Sequence, residues 1–234
     1  MLRMNERKIL GVLGGMGPLA TCEFLRGIVD LTAAARDQDH LDVLVYSHAT
    51  LPNRTAAILT GQTESLIDRL TKDAAMLEQN GAGVLAVPCN TSHVFYDQIQ
   101  AAVQIPVIHI VRETIGALEG ARTVGVLATE GTVKTEIYGL EGAKAGIRVL
   151  YPSPEVQHKV TDIIERIKRG ERMDTWMLRT VAEELLNNGC QRVILACTEL
   201  SCAVRNGPRE PRFVDAMDVL IRKSIQLCGG QVKG

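Results

Sequence analysis

The chain has 234 residues and a formal net charge of −1 at pH 7, with 46% hydrophobic and 23% charged residues. These values are typical of an ordinary globular protein, and the basic residues are too scattered to form a nucleic-acid-binding surface or a polybasic membrane patch. No apolar run reaches the roughly 18 residues that span a bilayer. We therefore expect no nucleic-acid and no membrane partner.

The N-terminus has a basic stretch followed by an apolar one, Ile9–Leu13, which faintly resembles a signal peptide. Three glycines and Pro18 follow within a few residues, so a buried strand entering a glycine turn is favoured instead. The six cysteines include no C-x-x-C pair, which argues against a zinc or thioredoxin-like site. Without a convincing export signal, we expect reduced thiols and a cytoplasmic location.

Short apolar segments alternate with longer amphipathic ones along the chain. The predicted strands are, in chain order, Ile9–Leu13, Val43–Ser47, Val84–Pro88, Val107–Ile110, Val124–Ala128, Val193–Ala196 and the short Phe213–Val214. The clearest helix pattern runs from Leu178 to Leu186, with apolar residues at helical spacing and Gly189 as a stop. A C-terminal helix is predicted over Ala216–Cys228. Strands that alternate with helices predict parallel sheets covered by helices.

Two segments of the chain resemble each other without a gap. Leu77–Thr91 matches Leu185–Glu199, with Asn-Gly aligned on Asn-Gly and Cys89 on Cys197, at a constant offset of 108 residues (197 − 89). Any two helix–glycine–strand units look alike to some degree, but the ungapped register that ends on cysteine in both favours an internal repeat.

The repeat predicts an α/β fold with two pseudo-symmetric halves, each a mostly parallel sheet flanked by helices, and an active site in the cleft between them. We expect residues 1–115 to form the first half and residues 116–211 the second. Residues 212–234 are expected to return to the first half.

Cys89 and Cys197 each follow an apolar strand and precede a polar pair. Ligands of open α/β sheets bind beyond the carboxyl ends of the strands, and the N-terminus of a following helix lowers the pKa of a thiol. Two thiols that face one cleft suit the inversion of a stereocentre, because one removes the Cα proton and the other delivers a proton to the opposite face. Free cysteines are usually buried structural residues, an interpretation that we apply to Cys22, Cys190, Cys202 and Cys228.

The chain resembles aspartate racemases of the aspartate/glutamate/hydantoin racemase superfamily nearly from end to end. The motifs that carry the resemblance are Leu13–Pro18, Pro52–Thr55, Pro88–Thr91, Ala128–Thr132 and Cys197–Glu199. Glutamate racemases usually have Asp-Ser-Gly after the first strand and His two places after the second cysteine. This chain has Gly-Gly-Met and Glu199 at those places, so the resemblance favours the aspartate branch.

The resemblance implies an isomerase without pyridoxal phosphate, other cofactor or metal, in which Cys89 and Cys197 form a thiolate–thiol pair. The implied substrate is a small acidic amino acid, L- or D-aspartate before glutamate, and we expect a homodimer.

Two basic residues are expected to bind the substrate carboxylates. In aspartate racemases the Arg that matches Arg54 contributes to substrate binding, and Lys168 matches a second basic residue of that site. From position alone, a loop Arg is more often solvated, and Lys168 and Arg169 are simply basic residues that end a helix, where positive charge is favoured. Asn53 stands where the family often has Asp, which leaves open which acidic amino acid is preferred.

The other candidate site residues lie in turns or at the starts of helices. The glycine and threonine turns either bind a carboxylate or only form turns, and the polar residues after the cysteines bind substrate or cap helices. Glu199 is expected to hold the substrate ammonium, to orient a thiol, or only to favour a helix start. These candidates are Gly15, Met16, Asn90, Thr91, Thr129, Gly131, Thr132, Thr198 and Glu199.

Three alternative functions stay open at this point. Gly15-x-Gly17-x-x-Ala20 after a strand fits the dinucleotide fingerprint of a dehydrogenase, but Pro18 interrupts it and the second strand ends without the acidic residue that binds a ribose. A non-catalytic amino-acid-binding protein would not need both thiols. A hydantoin racemase, a maleate isomerase or a malonate decarboxylase shares the cysteine scaffold, so the fold does not decide among these enzymes.

Overall fold

The structure is a computed structural model that describes residues 7–204 and 210–233. Within these ranges the strands are β1 (Ile9–Gly14), β2 (Val43–Ser47), β3 (Ala82–Ala86), β4 (Thr123–Ala128), β5 (Arg148–Leu150), β6 (Arg192–Ala196) and β7 (Phe213–Asp215). The helices are α1 (Pro18–Leu31), α2 (Arg54–Thr60), α3 (Glu64–Gln79), α4 (Tyr96–Ala101), α5 (Ile110–Gly116), α6 (Glu130–Lys134), α7 (Ile137–Lys144), α8 (Pro154–Lys168), α9 (Thr175–Asn187), α10 (Thr198–Val204) and α11 (Ala216–Leu227).

The strands form two parallel sheets, which confirms the predicted α/β fold. The first sheet has the order β2-β1-β3 and the second has the order β5-β4-β6-β7. All strand pairs in both sheets are parallel. The central strands β1 and β4 are buried along nearly their whole length, as expected for parallel strands with helices on both faces.

The two sheets repeat the same arrangement of strands. β1 and β4 occupy equivalent central positions, and β3 and β6 are their equivalent neighbours. Val107 forms a single parallel bridge to Leu85 of β3, which corresponds to the position of β7 beside β6. A helix follows each of these segments, and the two helices, α5 and α11, pack against each other.

The prediction of a strand over Val107–Ile110 is wrong, because only one bridge forms before the chain turns into α5. His109 is the N-cap of that helix, and its Nδ1 accepts a hydrogen bond from the Arg112 N–H at 3.3 Å. β5, which has three residues, carries too short an apolar pattern to be predicted. The predicted helix before Gly189 is α9, and its buried face is the expected one.

The C-terminal segment contacts both halves. β7 pairs with β6 in the second sheet, whereas α11 packs against α1 and α5. β7 is thus part of the second sheet, whereas α11 packs on helices that precede residue 116. The division of the chain between residues 115 and 116 stays a prediction.

One apolar cluster joins the two sheets. It contains Leu10 and Val12 of β1, Val124 and Val126 of β4, and Leu220 of α11, all with no exposed surface. Two further clusters lie within the first and the second half. The shared cluster fixes the sheets relative to each other, and the site between them depends on that arrangement. None of the helices in the described ranges is both long and apolar enough to cross a bilayer.

A glycine pair tests how closely α9 packs on the second sheet. A Cβ at Gly125 of β4 would lie 2.8 Å from the Cβ of Leu185, whereas a Cβ at Gly116, at the end of α5, meets no atom within 4 Å. We expect Gly125→Ala to lower the free energy of unfolding by about 1–3 kcal/mol because the core is overpacked. Gly116→Ala should leave it unchanged or raise it by up to about 1 kcal/mol. Equal urea-unfolding midpoints for the two variants would contradict this packing.

Candidate active site

Cys89 and Cys197 lie beyond the carboxyl ends of equivalent strands. Cys197 follows β6 directly, and Cys89 lies three residues beyond the end of β3. Both line the same pocket, and each residue is only 5% exposed. The strand ends thus bring two thiols from the two halves of the chain to one site.

Most of the residues predicted from the sequence line this pocket together. They are Met16, Arg54, Cys89, Asn90, Thr91, Thr129, Lys168, Cys197, Thr198 and Glu199, and Asn53 and Thr55 complete the lining.

Three predicted residues do not line the pocket. The Gly15 N–H donates to Thr21 Oγ1 at 2.8 Å, so it is not free for a carboxylate. A Cβ at Gly131 would come within 2.9 Å of Thr55 Cα, which shows that this glycine allows α6 to pack closely on α2. The third residue is Thr132, and its Oγ1 hydrogen-bonds to Thr91 Oγ1, which belongs to the pocket lining.

The Cys197 thiol is held by a carboxylate. Its Sγ donates to Glu199 Oε2 at 3.0 Å. Burial, and then the charge of Glu199 and its hydrogen bond, raise the pKa of Cys197 well above its usual range, although Lys168 acts in the opposite direction. We expected the start of α10 to lower this pKa, and that expectation is wrong, because burial and a neighbouring anion outweigh the dipole of a short helix.

Cys89 has different neighbours. Ser92 Oγ donates to Cys89 Sγ at 3.2 Å and lies 3.1 Å from Met16 Sδ. His93 Nδ1 lies 2.9 Å from the Cys89 carbonyl oxygen, and its Nε2 lies 3.1 Å from that of Ile108. Burial lowers the pKa of His93. This ring ties the backbone of Cys89 to the segment beside β3, a role that its position in the sequence does not reveal.

Hydroxyl groups connect the two halves of the chain across the site. Thr91 Oγ1 lies 2.9 Å from Thr129 Oγ1 and 3.0 Å from Thr132 Oγ1, and the latter two atoms are 3.1 Å apart. Tyr138 of α7 has no exposed surface, and its hydroxyl donates a hydrogen bond to Asn90 Oδ1, with 2.5 Å between the two oxygens. The side chain of Asn90 is therefore fixed by a residue of the second half.

Two buried polar atoms of the lining residues have no hydrogen-bond partner in the described part of the chain. They are Asn90 Nδ2, a donor, and Glu199 Oε1, an acceptor. Buried polar atoms are almost always satisfied in folded proteins, so these two atoms are free to bond a ligand or a water molecule in the pocket. A donor and an anionic acceptor match the carboxylate and the ammonium of an amino acid.

The two predicted cations also line the pocket. Arg54 Nη1 donates to the Pro52 carbonyl at 3.0 Å, and the guanidinium forms no ion pair with the described carboxylates. Lys168 Nζ lies 2.8 Å from Glu165 Oε1. Burial opposes the charge of Lys168, but this contact and the nearby Cys197 and Glu199 raise its pKa overall. The pocket therefore holds two fixed positive charges.

Asn53 has a structural role in placing Arg54. Its Oδ1 accepts a hydrogen bond from the Ala56 N–H at 3.0 Å and caps α2, the helix that begins at Arg54. Asn and Asp cap helices about equally well, so the change from the family residue keeps this function. In the part of the chain that the structure describes, no cluster of three or more His, Cys, Asp or Glu is suited to hold a metal ion.

The family model for Asp/Glu/Hydantoin racemase matches residues 13–223. The chain belongs to this family. Membership in it confirms the predicted isomerase class, an amino-acid racemase, and decides against the dehydrogenase and the non-catalytic binding protein.

Individual relatives agree with this assignment. The broad specificity amino-acid racemase RacX of Bacillus subtilis is 30% identical, over 93% of this chain and 96% of that protein. The solved structure of Picrophilus torridus aspartate racemase superposes with a TM-score of 0.81 at 27% identity, over 97% and 96% of the two chains. Glutamate racemase from Francisella tularensis, solved with D-glutamate, shares the fold at a TM-score of 0.64 and 20% identity, over 95% and 81% of the chains.

Proposed function

We propose that this racemase interconverts L- and D-aspartate, and glutamate less efficiently, with Cys89 and Cys197 as its two acid–base groups and without a cofactor. The observation that carries the proposal is the position of both thiols in the lining of one pocket. Free thiols at equivalent strand ends of two repeated halves supply one group for each face of a substrate Cα.

The reaction moves one proton at each face of the substrate. A thiolate removes the Cα proton, so that the C–H bond breaks, an S–H bond forms, and the electron pair is delocalised into the carboxylate. The opposite thiol then donates its proton to Cα and becomes the thiolate. Asn90 Nδ2 donates to the substrate carboxylate while charge develops there, and Glu199 Oε1 accepts from the ammonium. The two thiols exchange roles for the other enantiomer.

The charges of the pocket favour a substrate with a second carboxylate. The α-carboxylate and ammonium of any amino acid are matched by Asn90 and Glu199, which leaves Arg54 and Lys168 for the side chain. An arginine fork binds a carboxylate with two parallel hydrogen bonds. A neutral side chain would leave the Arg54 guanidinium without a carboxylate partner in the pocket, which costs free energy, whereas Lys168 already contacts Glu165.

Racemisation of single enantiomers tests the substrate class. Purified protein is incubated separately with L- and D-aspartate, glutamate, asparagine and alanine, and the products are separated by chiral chromatography. We expect kcat/KM for aspartate to exceed that for asparagine, which has the same shape without the charge, by at least about tenfold. Equal rates for the acidic and neutral amino acids would contradict this proposal and instead indicate a broad specificity like that named for the Bacillus subtilis relative. Activity only on a hydantoin, on maleate or on a malonate would identify another reaction on the same scaffold.

The predicted homodimer and the cytoplasmic location stay predictions. Light scattering on the purified protein tests the first directly, because a monomer and a dimer of a 25.5 kDa chain are easily distinguished.

A further inference from the structure

The two thiols of the pocket have opposite hydrogen-bond roles. Cys197 Sγ donates its proton to a carboxylate oxygen, Glu199 Oε2, at 3.0 Å. Cys89 Sγ accepts a proton from a hydroxyl, Ser92 Oγ, at 3.2 Å. A donor thiol beside a carboxylate and an acceptor sulfur beside a hydroxyl are not equivalent, although the strands that carry them are.

We propose that in the resting enzyme Cys89 carries the thiolate and Cys197 the thiol, and that Ser92 and Glu199 are the positioning residues that set this arrangement. The proposal rests on the two-cysteine function given above, and it names the residues that decide which cysteine is deprotonated before substrate binds.

Glu199 disfavours a thiolate at Cys197 in two ways. Deprotonated Cys197 would place a second anion beside a buried carboxylate, and the carboxylate would lose the proton that it accepts. The other oxygen, Glu199 Oε1, faces the start of α1, since a Cβ at Gly17 would lie 3.1 Å from it. The N-terminus of a 14-residue helix favours a negative charge beside it, so this position suits a carboxylate.

Ser92 favours a thiolate at Cys89. Its hydroxyl has one proton and two sulfur neighbours, Cys89 Sγ and Met16 Sδ. A thiolate is a much stronger acceptor than a thioether, so this proton goes to Cys89 when Cys89 is ionised. Ser92 has no exposed surface, and water does not compete for the bond.

The remaining charged groups of the site do not cancel this difference. The charged lining residues besides Glu199 are Arg54 from α2 and Lys168 from α8, and both favour a negative charge in the pocket. Lys168 lowers the pKa of Cys197, but burial and Glu199 raise this pKa by more. Tyr138 from α7 is kept neutral because burial raises its pKa, and His93 contacts only the backbone of Cys89.

The asymmetry has a kinetic consequence. The two enantiomers have equal free energies, so kcat/KM must be the same in both directions. One enantiomer is bound by the prevailing form of the enzyme, whereas the other needs the form with exchanged protons. We therefore expect kcat and KM each to differ between the enantiomers, while kcat/KM is the same for both.

Alkylation of the intact protein tests the assignment without any substrate. Iodoacetamide reacts with thiolates, and peptide mass spectrometry gives the labelling rate of each cysteine as a function of pH. The midpoint of each profile, unlike its height, does not depend on how accessible the cysteine is. We expect the Cys89 midpoint to lie at least about one pH unit below the Cys197 midpoint in the wild-type protein. Coinciding midpoints, or the reverse order, would overturn the assignment.

Two variants identify the responsible residues. Glu199→Gln removes the charge and keeps an acceptor oxygen, so it should lower the midpoint of Cys197 by about one unit or more and leave that of Cys89 unchanged. Ser92→Ala should raise the midpoint of Cys89 alone. Glu155→Gln, the same change on an exposed part of α8, is the matched control and should move neither. A shift of both midpoints together would indicate a general structural effect and reject the two roles.

This experiment separates the assignment from the proposed function. Distinct midpoints in a protein that fails to racemise aspartate would leave the assignment standing and refute the substrate. Coinciding midpoints in a protein that racemises aspartate would refute the assignment and leave the proposed substrate standing.

Discussion

Replacement of either Cys89 or Cys197 by serine is expected to lower racemisation by roughly 10²–10⁴-fold, the usual contribution of one acid–base group. A serine hydroxyl is a poor base at neutral pH, so each variant lacks one of the two groups that the reaction needs. The effect should be seen in kcat, measured by chiral chromatography from both enantiomers of aspartate. The folded structure should persist, because serine differs from cysteine by one atom.

Cys22→Ser is the matched control for these variants, since Cys22 is an exposed free cysteine of α1. It should racemise like the wild-type protein. Near wild-type activity in either Cys89→Ser or Cys197→Ser would show that the corresponding thiol does not transfer a proton.

Arg54→Ala is expected to discriminate between acidic and neutral substrates. Loss of one charge-assisted contact costs about 1.5–3 kcal/mol, which lowers kcat/KM for aspartate roughly 10- to 150-fold. The variant should affect asparagine much less, because no carboxylate of its side chain is bound. The kcat/KM of Arg54→Lys for aspartate should lie between those of the wild-type protein and Arg54→Ala, since lysine keeps the charge and loses the planar fork.

A second arginine variant separates this effect from a loss of surface charge. Arg26→Ala changes a side chain of α1 that is 61% exposed, and it should leave kcat/KM for both amino acids unaltered. An equal loss of activity towards aspartate and asparagine in Arg54→Ala would show that Arg54 supports the structure of the pocket rather than the substrate carboxylate.

The internal repeat explains why so much of the fold could be predicted. Its ungapped register predicted β3 and β6 and the position of a cysteine beyond the end of each. The prediction was possible because the same helix–glycine–strand unit occurs twice and buried parallel strands have a simple apolar pattern. The same pattern misled at Val107–Ile110. There the side chain of His109 caps α5 and ends the extended segment early, an effect that hydropathy does not contain.

The lining of the site could be predicted from chain position beside the cysteines, and from the family resemblance at Arg54 and Lys168. Residues adjacent to Cys89 and Cys197 in sequence also line the pocket. The environment of each thiol depends on residues whose contacts the sequence does not display, such as Ser92, or Tyr138, which reaches Asn90 across 48 positions of the chain. The raised pKa of Cys197 is hidden from the sequence for the same reason, since it results from burial beside a carboxylate rather than from the helix start that the sequence reveals.

Isotope incorporation in heavy water tests the two-thiol mechanism most directly. L-aspartate is incubated with the enzyme in heavy water, and both enantiomers are separated early in the reaction, before the product can react in the reverse direction. The proton at Cα of each enantiomer is then measured by proton NMR. With a separate donor for each face, the newly formed D-aspartate carries deuterium at Cα, and the recovered L-aspartate keeps its proton. D-aspartate that retains the original proton would show that one group carries it from face to face and would contradict the mechanism.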